Sequence, residues 1–168
     1  MFVLYNFGEN VEVYFKYFFG ELKGIFYYLL LYLGGILFSN IISYKRHSDN
    51  PAYTAVGASG AVSAVVFSFI LIAPFQMLYL FMSIPIPALL FALLYLFYEH
   101  YMDKKGNTGI AHDAHFTGAL FGLFFTILLE PYLVIELLNG IKYYLNIKLM
   151  GKKFIFLDRD GVINQERG

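Results

Sequence analysis

From Pro51 to Tyr98 the chain carries no Asp, Glu, Lys, Arg or His. A helix crosses a hydrocarbon core in about 20 residues, so this run is far too long for one span. Pro74, Pro85 and Pro87 fall inside it and supply the breaks, because proline removes a backbone donor and clashes with the preceding turn. We therefore expect one helix near 55–73 and another near 87–100. Residues 75–86 between them should lie at the membrane interface or re-enter.

The rest of the chain repeats the pattern. Residues 24–44 contain no ionisable side chain except tyrosine, and 109–129 form another long apolar stretch before Glu130-Pro131. Charged loops separate these pieces, at Lys45-Arg46-His47-Ser48-Asp49-Asn50-Pro51 and at 101–108. Hydrophobic residues make up 59% of the chain and charged ones only 14%, a balance that no water-soluble fold can bury. The fold class expected is all-α, a polytopic transmembrane helical bundle. With net charge near zero, nothing argues for a nucleic-acid partner. The absence of cysteine removes disulfides, thiolate chemistry and cysteine-ligated metals.

The ends differ from the middle. Residues 1–7 are apolar but too short to span, lack a basic leader, and read as the inner end of a helix. A mixed-charge stretch, 8–23, follows. Residues 132–153 are amphipathic and lysine-bearing, which predicts an interfacial helix. Lys142, Lys148, Lys152 and Lys153 gather after the last span, favouring a cytoplasmic C-terminus. Three regions are thus expected: a membrane domain over 1–131, a juxtamembrane segment over 132–153, and a tail over 154–168.

Two places break the apolar pattern. Gly57-Ala58-Ser59-Gly60-Ala61-Val62-Ser63-Ala64 opens one span, and Ala111-His112-Asp113-Ala114-His115 opens another. The small residues alone suit a helix-packing face. Ionisable groups inside a membrane segment are costly, and their presence there points to function. A serine hydroxyl becomes a useful nucleophile when a base lies within hydrogen-bond reach, and histidine can take and return that proton near neutral pH. Spans two apart run in the same direction, so Ser59 and His115 should share a depth. Gly118 and Gly122, four apart, would give the histidine helix a flat face to press against Gly57 and Gly60.

Gly57-Ala58-Ser59-Gly60, followed one helix later by Ala114-His115-Phe116-Thr117-Gly118-Ala119-Leu120-Phe121-Gly122, resembles the motif pair of rhomboid intramembrane proteases. Gly8-Glu9-Asn10-Val11-Glu12 resembles that family's Gly-x-x-x-Glu. The resemblance runs from about Met1 to Leu129. It implies cleavage of transmembrane helices of substrate proteins within the bilayer by a Ser59–His115 dyad, with no cofactor and no metal. It also implies that the Ser59 amide holds the oxyanion, that the helix near 87–100 gates substrate, and that 101–109 caps the site. A bacterial inner membrane is the expected location.

The likeness also has gaps. The first of six core helices and the outer part of the second are missing, and the second helix's oxyanion histidine and asparagine would fall before Met1. Low activity is the corresponding expectation. Where an aromatic residue often packs on the histidine, this chain has Ser63.

Other assignments stay open. One is a non-catalytic rhomboid-like protein that binds transmembrane helices, and another is a small transporter with histidines along a polar path. His112 and His115 share a helical face, but only Asp113 stands nearby as a third metal ligand, and it points elsewhere. Asp113 is expected to cap its helix or sit in the loop. Finally, Lys153 to Asn164, with Asp158-Arg159-Asp160-Gly161-Val162, resembles the first motif of haloacid-dehalogenase-type phosphatases. Without the remainder of that fold, a short and poorly packed tail is expected.

Overall fold

The computed structural model describes residues 4–48, 58–80, 83–105 and 110–146. Gly57 and the phosphatase-like tail lie outside these residues. The chain divides into two compact units, Met1–Pro131 and Tyr132–Gly168. The second is described through a helix over 132–146.

In the first unit a π-helical turn, Leu4–Gly8, runs into α1 (Glu9–Phe19). Gly20 then reverses the chain with φ +85°, a left-handed geometry that favours glycine. From there α2 (Glu21–His47) returns along α1 so closely that a Cβ on Gly24 would strike the backbone of Phe15 and Lys16. Lys16 ties the corner together, 2.7 Å from Glu12 and 3.2 Å from Glu21. Hydrogen bonds to those two carboxylates raise its ammonium above the usual lysine range.

Next come α3 (Ala58–Ile72), a hairpin of β1 (Met77–Leu80) and β2 (Ile84–Pro87), α4 (Ala88–Lys105) and α5 (His112–Leu129). This is an all-α helical bundle with one short hairpin. The stretch expected at the interface is that hairpin, antiparallel, with Met77 opposite Pro87 and Leu80 opposite Ile84. Pro85 and Pro87 cannot donate to a ladder, which suits a two-stranded ribbon whose strands are both edges. The first amides of α4 are satisfied without a side-chain cap. Ala88 N–H donates to Gln76 and Leu89 N–H to Pro74, each at 2.8 Å, so the hairpin base fixes where α4 starts.

Helix α3 is buried on nearly every side, from Gly60 to Leu71, as expected of a central helix. Its neighbours approach through small residues. On α2 the buried Leu31, Gly35, Ser39 and Ser43 recur every four residues and form one stripe. A Cβ on Gly35 would come within 2.9 Å of Ala61 Cα and Ala64 Cβ. The opposite face of α2 shows Phe26, Leu30, Leu33, Leu37 and Ile41 to the outside. Both α2 and α5 are long and apolar enough to cross a membrane, and the exposed apolar face of α2 is what lipid would cover. Such a face suits a helix that crosses a membrane.

Candidate active site

The site assembles where α3 and α5 begin and α4 ends. The two starting helices run parallel in a fixed register. A Cβ on Gly118 would strike the Gly60 backbone, and one on Gly122 would strike the Ala64 backbone. One turn further, Thr126 Oγ1 lies 2.7 Å from Ser68 Oγ. Each pair is separated by the same sequence interval, as parallel helices advancing together require.

Of the contacts expected between the α5 glycines and Gly57 and Gly60, the one at Gly122 needs correction, and Gly57 lies outside the described residues. Gly118 does meet Gly60. Gly122, one turn deeper, meets Ala64, because parallel helices keep step rather than converging on one point.

Ser59 sits half-buried in the first turn of α3, beside Gly60. His115 sits half-buried in the first turn of α5, three residues before Gly118. Both are thus held at the same end of a helix pair in backbone contact. The imidazole's hydrogen bond is to a third helix. His115 Nδ1 lies 3.2 Å from Oε1 of Glu99 on α4, and His112 Nδ1 lies 2.5 Å from the other oxygen, Oε2. Glu99 and His112 are buried. A carboxylate out of water needs such partners, since an unpaired buried charge is very costly.

Tyr95, one turn back from Glu99 on α4, reaches the serine helix. Its hydroxyl is 2.9 Å from Ser63 Oγ, and that Oγ donates to the carbonyl of Ser59 at 3.3 Å. The Tyr95 ring comes to Ser63 from α4. It packs against Phe67 and Phe91 at centroid distances of 5.4 and 5.7 Å.

Asp113 is neither a cap nor a loop residue. It is buried, and its Oδ2 accepts from Ser43 Oγ of α2 at 2.8 Å, with His47 Nε2 at 3.4 Å. It joins α5 to α2, on a different side from the face that meets Glu99. At the same end, Arg46 of α2 pairs with Asp103 of α4 at 2.8 Å.

A family model, the rhomboid domain, matches residues 1–132. The chain belongs to the rhomboid family. Members of that family are generally intramembrane proteases. No curated protein and no solved structure matches the chain.

Sequence reasoning on this rhomboid missed Glu99 and Tyr95. One signal was available for Glu99: it is the first charged residue after the long apolar run, and a carboxylate in a membrane helix points to function. The metal question also changes. Asp113 was the third group considered beside His112 and His115, whereas the fold supplies Glu99, with the three ligand-type atoms within 4.8 Å of one another.

Proposed function

We propose that this rhomboid hydrolyses peptide bonds in transmembrane segments of other membrane proteins, with Ser59 as nucleophile and His115 as general base. Ser59 Oγ attacks the scissile carbonyl carbon while its proton passes to His115 Nε2. The Ser59 amide lies beside the point of attack, where it would hold the oxyanion as charge develops. Collapse of the tetrahedral intermediate breaks the C–N bond, and His115 returns the proton to the departing amine. Water, activated by the same imidazole, then releases the acyl group. The proposed setting is a bacterial inner membrane, with the bilayer presenting the substrate.

The supporting observation is the backbone contact between Gly60 and Gly118. It brings the turns that carry Ser59 and His115 to one end of a parallel helix pair. A fluorophosphonate serine probe tests the reading on the full chain. Covalent labelling of wild type, lost in Ser59→Ala, is the expected result. Labelling that survives Ser59→Ala would leave a membrane protein that binds transmembrane helices without cutting them.

A further inference from the structure

We propose that Glu99 is a positioning residue for His115, making the serine–histidine pair the outer part of a three-helix relay; this rests on the protease reading above. An ionised carboxylate can only accept hydrogen bonds. Its contact with His115 Nδ1 at 3.2 Å therefore places the ring proton on Nδ1. That tautomer leaves Nε2 with a lone pair, which is the form a general base needs. The same contact sets the ring's orientation and places a negative charge beside the imidazolium that forms when Ser59 gives up its proton. A carboxylate orienting the base of a serine nucleophile recurs on unrelated folds.

Two features of the site fit this role. The Glu99 side chain is only 5% exposed, so water competes little for its oxygens. His112 Nδ1, 2.5 Å from Oε2, occupies the second oxygen and keeps the carboxylate from turning away.

A metal ion on the same three side chains fits less well. Among the described residues, the buried Nε2 of His112 has no hydrogen-bond partner. With a metal on Nδ1, that nitrogen would carry a proton with nothing to receive it, whereas metal-bound imidazoles normally donate it. With Nδ1–H donating to Glu99, only a lone pair is left over.

The test compares fluorophosphonate labelling rates of wild type, Glu99→Gln, Glu99→Asp and Ser59→Ala. Glutamine is neutral and offers an N–H as well as an oxygen, so it no longer enforces the Nδ1 proton. Labelling of Glu99→Gln should slow by about a hundredfold or more, the scale of a correctly protonated general base. Glu99→Asp should recover part of the rate. Equal rates in wild type and Glu99→Gln, with Ser59→Ala silent, would overturn the role of Glu99 alone. Labelling that survives Ser59→Ala, or a wild type that does not label, would overturn the protease reading and this one with it. Wild-type labelling that changes with EDTA and returns with zinc would put a metal on the cluster and also overturn it.

A readout independent of folding in the variants uses wild type with isotope-labelled histidine. The imidazole nitrogen chemical shifts should report His115 protonated on Nδ1. A ring protonated on Nε2 instead would sink the assignment.

Discussion

Helix α5 has two working faces built on opposite principles. Toward α3 it offers Gly118, Gly122 and Thr126, and the two backbones come into direct contact. Toward α4 it offers His112 and His115, and what crosses the gap is a shared carboxylate. Inside a bilayer, apolar side chains gain little by leaving lipid for one another, so association depends on close packing and on hydrogen bonds. The first face relies mainly on the former, with one hydroxyl pair added, and the second on the latter. One fixes distance and register. The other places chemistry where the first has already brought the helix ends together.

The contrast can be broken most severely at the backbone contact. Gly118→Leu drives a branched side chain into Gly60, where no flexible group can move aside. A loss of more than about 4 kcal/mol is expected, enough to prevent assembly. Denaturant titration in detergent micelles should show no folded baseline, and a stable variant would mean the helices can separate.

A smaller loss is expected where α5 meets α2. Ser43→Ala removes a hydrogen bond from the buried Asp113 and should cost about 1–3 kcal/mol, read as an earlier unfolding midpoint. Smallest is Thr126→Val, which keeps shape but removes the hydroxyl pair with Ser68. About 0.6 kcal/mol is typical for such bonds in a bilayer. If Thr126→Val costs more than Ser43→Ala, polar bonding rather than close packing holds the α3–α5 face.

How much of this was legible in the residues follows from what each signal encodes. The absence of charge across 51–98 marked membrane segments, and the prolines marked where they break. Counting spans then put Ser59 and His115 at one end, because alternate spans run the same way. Glycine spacing named the surface α5 would press on α3, though not that Gly122 would sit over Ala64. The hairpin at Met77–Leu80 and Ile84–Pro87 was legible only as a break.

Rotation about each helix axis was not legible. A span of apolar residues on every side has no polar face to say which way it turns, and α4, from Ala88 to Tyr98, is such a helix. Position along the helix axes was therefore set by the sequence alone, through length, charge and connectivity. Azimuth was decided by tertiary contacts. It took the packing of α4 against its neighbours to bring Glu99 to His112 and His115 and Tyr95 to Ser63, and that of α5 against α2 to bring Asp113 to Ser43, because only interlocking side chains distinguish one face of an oily helix from another.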